Sequence, residues 1–101
     1  MIITLTEENF EAEVLNAVAP VLVDFWAPWC TPCQMMGPVI DEVSDIATGV
    51  KVCKLNIEEF KKLAIKYKVA SIPTVVLFKN GSEEKRLVGL SQKEEVLKFI
   101  G

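Results

Sequence analysis

The sequence contains no histidine, only three cysteines and no long apolar run. A tetrahedral zinc site takes four ligands, so this composition leaves room only for a site shared between two chains. Small secreted proteins that depend on disulfides carry dense and usually even sets of cysteines, unlike this odd and low number. No apolar stretch approaches the roughly 18 residues that indicate a membrane-spanning helix. We therefore do not expect a metal protein, a disulfide scaffold or a membrane protein.

A concentration of positive charge is also missing. Eleven Lys and Arg against fourteen Asp and Glu give a formal net charge of -3, and these charges are scattered along the chain. Nucleic acid is therefore not an expected partner. The opening MIITLTEENF has neither a basic segment ahead of an apolar stretch nor a small-residue cleavage site, which predicts a cytoplasmic protein.

No internal repeat, linker or change of composition divides the 101 residues, so we predict a single domain over residues 1–101. Half of the residues are hydrophobic and a quarter are charged, as in globular proteins. A chain of this size buries roughly 60 to 70% of its unfolded surface when it folds. It therefore needs no disulfide as a staple.

The periodicity of apolar residues predicts five strands and four helices in the order βαβαβαββα. The strands are expected at 1–5, 21–26, 50–56, 74–79 and 83–89, and the helices after Thr6, over 31–47, over 58–67 and after Ser91. The last helix would begin with a capping box of Ser91 and Glu94, and Asn80–Gly81 predicts a hairpin. We expect an α/β fold with a central mixed sheet and helices on both faces.

Three of these helices carry more detailed expectations. In the first, Phe10, Val14 and Val18 recur at helical spacing, and Pro20 would end the helix. In the third, Glu58 would pair with Lys62 four residues later. In the second, one broad apolar face would contain Met35, Met36, Val39, Ile40, Val43 and Ile46.

Cys30 and Cys33 lie between the strand at 21–26 and the helix that begins near Thr31. Residues three apart at a helix start face the same side, with Cβ atoms roughly 5 to 6 Å apart, so a disulfide can close after a modest adjustment. Because the fold needs no staple, the pair is predicted to be a redox-active dithiol. An inert core pair or a static bridge is the alternative.

The start of the helix should favour the thiolate of Cys30, since unpaired N–H groups and the positive end of the helix dipole attract an anion there. Residues 20–50 contain no Lys, Arg or His, so the helix terminus would supply most of this stabilisation. We expect the pKa of Cys30 to lie near neutrality and Cys33 to be less exposed and less acidic. Pro32 suits the first helical turn and stiffens the loop between the two sulfur atoms.

Two further residues, Asp24 and Lys54, have two readings each. Asp24 interrupts an apolar strand: it is either buried with a raised pKa and able to exchange a proton with the resolving thiol, or it is solvated. Lys54 either pairs with Asp24 across adjacent strands or is a plain surface lysine. Cys53 is expected to be a small core hydrophobe. For Ile72–Pro73 a trans peptide bond is the expectation from residue chemistry alone.

The segments DFWAPWCTPC, SIPTVVLFKNG and VGL, in this order and at this spacing, resemble the thioredoxin family over essentially the whole chain. The resemblance implies a thioredoxin fold in which Cys30 attacks and Cys33 resolves. It matches Asp24 and Lys54 to the family's buried acid and its partner, and Pro73 to the family's cis proline. The implied substrate-binding residues are Trp29, Pro32, Ile72, Pro73 and Gly89, with the backbone of Ile72 pairing with an extended target segment.

The activity that the resemblance implies is reduction of disulfides in target proteins, serving redox homeostasis in the cell. No bound cofactor and no metal are expected. A flavoprotein, thioredoxin reductase, would return electrons from NADPH, and the protein would act as a monomer.

Three positions depart from the usual family pattern. Thr31 stands in place of Gly, and Gln34 stands in place of Lys. Lys68, which follows Tyr67, stands in place of the Gly that often follows this Tyr in the family. Thr31 bears on the redox potential and on the fit to the reductase. Two alternatives to a general reductase therefore stay open: an oxidant or isomerase with a shifted potential, and a non-catalytic binding or assembly subunit.

Overall fold

The protein, described over all 101 residues by a computed structural model, is built around a five-stranded mixed sheet. The strands stand in the order β1-β3-β2-β4-β5, with β1, β3 and β2 parallel and β4 antiparallel to both β2 and β5. They are β1 (Ile2–Thr4), β2 (Val21–Trp26), β3 (Lys51–Asn56), β4 (Thr74–Lys79) and β5 (Ser82–Val88). The predicted mixed α/β architecture is confirmed.

Four helical segments connect or follow the strands. They are a π-helical segment at Glu11–Leu15, then α1 (Thr31–Ile46), α2 (Lys61–Lys66) and α3 (Lys93–Ile100). None of them is both long enough and apolar enough to cross a membrane. The element order is the predicted one, and the hairpin between β4 and β5 turns at Asn80 and Gly81, both with positive φ.

Each face of the sheet carries its own apolar core. Along β2, Val21, Val23 and Phe25 pack with Phe10 and Val14 of the first helical region, and α2 covers the same face. Leu22 points the opposite way, into a second cluster made with α1 and α3, whose buried members include Met36, Ile40, Val43 and Val96. Helices therefore lie on both faces, as predicted, because alternate residues of a central strand face opposite layers.

The first helical region is shorter than predicted. The π-helical segment ends at Leu15, five residues before Pro20, and Val18 is 97% exposed instead of lying on the apolar face. The chain uses the residues after Leu15 to leave the helical layer and enter β2 at Val21. Phe10 and Val14 are the residues of this region that pack on the sheet, while Val18 lies beyond the end of the helical segment.

Details of the other helices also differ from expectation. In α1, Met35 and Ile46 are 58% and 52% exposed. The part of the helix surface that contacts the sheet is narrower than the apolar face predicted from the sequence. Helix α2 begins at Lys61, so Glu58 precedes it and forms no ion pair with Lys62.

The capping box of α3 is shifted by one residue from the predicted one. Gln92 and Glu95 form it, whereas Ser91 is buried and precedes the cap. Gln92 still has extended backbone, with φ of -85° and ψ of 162°, so the helix begins at Lys93. The prediction from Ser91 and Glu94 was therefore wrong in register, though right about the type of cap.

Candidate active site

The two cysteines lie where β2 leads into α1. Cys30 is the N-cap residue of α1, with extended backbone, and its Sγ accepts a hydrogen bond from the N–H of Cys33 at 3.2 Å. The two Sγ atoms form a disulfide, and the Cα atoms are 5.2 Å apart. The spacing between the cysteines therefore places them where a disulfide closes across the first turn of the helix.

The backbone at the start of α1 contributes to the electrostatics of this corner. The sulfur of Cys30 occupies the place that a Ser or Asp oxygen takes at an ordinary N-cap, where orphan N–H groups favour negative charge. No ion pair of the structure involves a residue between Pro20 and Val50 other than Glu42, which lies towards the far end of α1. Cys30 thus stands where a helix terminus can stabilise a thiolate, and the extent of this stabilisation stays a prediction.

The exposure of the two sulfur-bearing residues differs less than expected. Cys30 is 6% exposed and Cys33 is 4% exposed, so burial alone does not separate an attacking thiol from a resolving one. The difference between them is positional, because only Cys30 stands at the cap and accepts the helical N–H.

A second loop meets the dithiol from β4. The Ile72–Pro73 peptide bond is cis, as the family resemblance implied, and the carbonyl oxygen of Ile72 lies 3.8 Å from Cys30 Sγ. Gly89, with φ of +95°, donates its N–H to the carbonyl oxygen of Pro73 at 2.8 Å. The fold therefore brings Ile72, Pro73 and Gly89 together beside Cys30.

Trp29 and Pro32 lie at the surface next to the disulfide. Trp29 is 66% exposed, which is unusual for the largest apolar side chain, and Pro32 stands in the first turn of α1. The loop that holds Trp29 is tied to the helix by Gln34, whose Nε2 donates to the carbonyl oxygen of Pro28 at 2.9 Å. The tryptophan is thus presented beside the dithiol by a braced loop.

Asp24 lies beneath this surface on β2. Its side chain is 1% exposed, its Oδ1 has no hydrogen-bond partner, and it points to the same layer as Leu22, which packs against α1. Burial raises the pKa of Asp24 to about 7, while the charge of Lys54 opposes this shift. The solvated reading of Asp24 is therefore excluded.

Lys54 stands directly opposite Asp24 in the parallel pairing of β2 with β3, but the two side chains form no salt bridge. The ammonium group instead lies 5.8 Å from the centroid of the Trp26 ring. A Cβ atom built on Gly37 would be 3.9 Å from Lys54 Nζ, so the ammonium group lies close to α1. Of the two readings of Lys54, a direct pair with Asp24 is therefore not formed, although the charge of Lys54 still lowers the pKa of Asp24 from a longer distance.

Cys53 belongs to the other face of the sheet. It is fully buried in the cluster beneath the π-helical segment, and burial raises the pKa of its thiol to about 12. Its prediction as a small core hydrophobe is confirmed. No group of three or more potential metal-ligating side chains occurs in the structure.

A groove beside Trp29 was missed in the sequence. It has a volume of about 410 Å³ and is lined by Trp29, Ile57, Glu58, Lys61, Ala64 and Ile65. Ile65 is 76% exposed on α2. The available signal was its place outside the apolar stripe of that helix, although a single exposed aliphatic residue is common and gains meaning only from lying beside Trp29 and Ile57.

A dithiol at the start of a helix, fed by a buried strand and facing a cis-proline loop, defines a thiol-disulfide oxidoreductase. The thioredoxin family model matches residues 1–101. Relatives include thioredoxin of Rickettsia bellii, 50% identical over 97 residues, and that of Pseudomonas aeruginosa, 48% identical over 100 residues. These alignments cover 95% and 98% of this chain and 92% and 93% of the relatives. The chain belongs to the thioredoxin family and is a protein-disulfide reductase.

A chloroplastic thioredoxin M5 of Oryza sativa is also similar, at 42% identity over 100 residues. Those residues make up 98% of this chain but 58% of the rice protein. The similarity thus extends from bacterial to plant thioredoxins over nearly the whole of this chain.

Proposed function

We propose that the chain reduces disulfides of target proteins in the cytoplasm, as a monomer that folds as one domain over residues 1–101, with Cys30 attacking and Cys33 resolving. Thioredoxin reductase, a flavoprotein, would return two electrons from NADPH. The observation that carries the assignment of roles is the hydrogen bond from the Cys33 N–H to Cys30 Sγ at 3.2 Å. A donor aimed at one sulfur favours the charged form of that sulfur.

The reaction would proceed in two exchanges. The Cys30 thiolate attacks one sulfur of a target disulfide, a bond forms between them, and the other target sulfur leaves as a thiolate. Cys33 then loses its proton and attacks Cys30 Sγ. The intramolecular disulfide forms, the mixed disulfide breaks, and the target leaves with both sulfurs reduced.

Asp24 is proposed to accept the proton of Cys33, through water, during the second exchange. Its support is its burial on the α1 side of β2, its unpartnered Oδ1 and a pKa raised to about 7, near the working pH of a general base. Lys54 would moderate that pKa from its place opposite Asp24. Both residues are positioning or proton-handling groups, and the sulfur chemistry stays with the cysteines.

Target segments are proposed to bind across Trp29, Pro32, Ile72, Pro73 and Gly89. Support comes from the 3.8 Å separation of Cys30 Sγ and the Ile72 carbonyl oxygen, because a segment that pairs with this backbone would carry its disulfide to Cys30. The groove between Trp29 and α2 would take an apolar side chain of the same target. The surface therefore fits an extended chain with apolar residues near its cysteine.

The test is a redox titration of the Cys30/Cys33 couple against glutathione, together with insulin reduction by the wild type, Cys30→Ser and Cys53→Ala. We expect a potential below the glutathione poise, full activity of Cys53→Ala and none of Cys30→Ser. A potential well above that poise would instead assign the chain as an oxidant or isomerase. Target binding without turnover by the wild type would assign a binding subunit.

A further inference from the structure

The side chain of Arg86 makes four hydrogen bonds at one point on the edge of the sheet. Its Nε and Nη2 donate to Glu83 Oε2 and Oε1 at 2.6 and 2.7 Å. Its Nη2 and Nη1 also donate to the main-chain carbonyl oxygens of Tyr67 and Lys68 at 2.6 and 3.2 Å. Arg86 thus joins β5 to the carboxyl end of α2, where carbonyl groups lack helical partners.

A bulge in β5 creates this arrangement. In a regular strand, residues three apart face opposite sides of the sheet. Here Phe78 pairs with Glu83 while Leu77 pairs with Lys85, so Glu84 is an extra residue. Glu83 and Arg86 therefore stand opposite Phe78 and Val76, two residues of the same face, and both reach the α2 layer. Bulges commonly serve to redirect a side chain in this way.

The backbone that Arg86 holds is itself unusual. Lys68 has a φ of +54°, in the left-handed region that favours glycine. This is the position where the sequence departs from the glycine that often follows the Tyr in this family. The guanidinium binds the carbonyl oxygens on either side of that residue's backbone, Tyr67 and Lys68, and so stabilises a conformation that a lysine adopts with difficulty.

The residues that follow Lys68 lead straight to the dithiol. Only residues 69–71 separate it from Ile72, whose carbonyl oxygen faces Cys30 Sγ. This short segment has no regular secondary structure. Its regular tie to α2 is the hydrogen bond from the N–H of Val69 to the carbonyl oxygen of Ala64 at 2.9 Å. Ile72 thus lies between two anchors, the end of α2 on one side and, on the other, the start of β4, where Thr74 Oγ1 donates to the carbonyl oxygen of Ser71.

We propose that Arg86 is a positioning residue for target binding: it fixes the left-handed turn at Lys68 and, through it, the segment that presents Ile72 to a target protein. The inference rests on the proposed role of Ile72 in binding targets. It assigns a functional consequence to an ion pair that would otherwise count as a partly exposed surface pair of small energetic value.

The experiment compares Arg86→Ala with wild type in three assays: insulin reduction, reduction of a small aromatic disulfide, and amide hydrogen exchange. We expect the KM for insulin to rise about five- to tenfold in Arg86→Ala, a change of the size that one ordinary hydrogen bond contributes, because Arg86 acts on the target only through the segment it holds. The kcat, the redox potential and the rate with the small disulfide should stay within about twofold, because the sulfur chemistry is untouched. Exchange at the Val69 amide should become faster, while exchange in β2 should not change.

Two further variants make the result specific. Lys68→Gly in the Arg86→Ala background should restore much of the KM, since glycine adopts a positive φ without help. Lys85→Gln, which removes a neighbouring positive charge on β5, serves as the matched control and should leave the KM unchanged. If Arg86→Ala fails to fold, Arg86→Lys is used, because it keeps the charge but cannot make all four hydrogen bonds.

An unchanged KM together with unchanged exchange at Val69 in a folded variant would overturn the proposal. Equal losses with insulin and with the small disulfide would overturn it too, since they would place the effect on the dithiol. If the wild type itself failed to reduce insulin, the proposed function would be rejected. Hydrogen exchange at the Val69 amide would still test whether Arg86 holds the segment that follows α2.

Discussion

The N–H of Cys33 donates a hydrogen bond to Cys30 Sγ, so the residue proposed to resolve stabilises, through its backbone, the sulfur proposed to attack. The side chain of Cys33 can therefore be changed without loss of this donor. Substitution should separate the two exchanges of the reaction, because the first needs only the Cys30 thiolate.

We expect Cys33→Ser to form a stable mixed disulfide with a target protein, and Cys30→Ser to form none. The serine hydroxyl cannot attack Cys30 Sγ, so the first exchange would proceed and the second would not. Intact-mass spectrometry before and after addition of a reductant measures the adduct. Adducts of Cys30→Ser through Cys33 would reverse the assigned roles.

We expect Asp24→Asn to increase the free energy of unfolding of the oxidised protein at pH 8 by up to about 4 kcal/mol. This figure follows from the rise of the Asp24 pKa from 3.8 to about 7 in the folded wild type. A raised pKa means that the folded state holds its proton to higher pH than the unfolded state. The wild type should therefore lose stability as the pH rises from about 4 to about 7 and change little above that range.

Urea denaturation between pH 4 and pH 8 measures the effect of Asp24. The difference between Asp24→Asn and wild type should be small at pH 4 and full at pH 8. The substitution should also slow the second exchange at neutral pH, which single-turnover kinetics would detect. A wild-type stability that rises between pH 4 and pH 7 by the same amount in both proteins would contradict a buried, proton-holding Asp24.

We expect Gly81→Ala to lower the free energy of unfolding by about 2 kcal/mol or more. The loss in Gly49→Ala should be smaller. Both glycines have positive φ, +79° and +75°, so the backbone cost is shared. A Cβ at Gly81, however, would lie 2.8 Å from the main-chain oxygen of Leu15, whereas nothing lies within 4 Å at Gly49. Equal losses in chemical denaturation would mean that the hairpin moves away from Leu15 at little cost.

We expect Cys53 to resist alkylation by iodoacetamide in the folded protein, under conditions that modify reduced Cys30 within minutes. The thiol is fully buried, and its pKa is raised to about 12, so almost no thiolate is present at pH 8. Peptide mapping after brief labelling measures this. Cys53→Ala should lower the free energy of unfolding by about 1 to 2 kcal/mol and leave the activity unchanged.

The limits of prediction from this sequence follow from the range of the interactions involved. The bounds of β2, the hairpin turn and the start of α1 follow from local signals such as a β-branched run, Asn80–Gly81 and a proline in the first helical turn. The exposure of Val18 and Met35 could not be predicted, since apolar spacing reports what a helix can bury but not how wide the contact with the sheet is.

The site shows the same division. Cys30 and Cys33 are recognisable because their chemistry depends on neighbours in sequence. The role of Arg86 depends on a bulge opposite β4 and on carbonyl groups 18 and 19 residues away in sequence. Nothing in the string SEEKRLV indicates that Glu83 and Arg86 share a face, because regular strand periodicity places them on opposite ones.

The bulge has a consequence beyond the placement of Arg86. The two outer strands of the sheet are β1, with three residues, and β5, where four of seven residues are charged: Glu83, Glu84, Lys85 and Arg86. Short length, charge and irregular pairing each hinder a second chain from adding to a sheet edge. The bulge at Glu84 therefore has two effects. It turns Arg86 towards α2, and it makes the exposed edge of β5 a poor site for a second chain to pair with when the protein is concentrated.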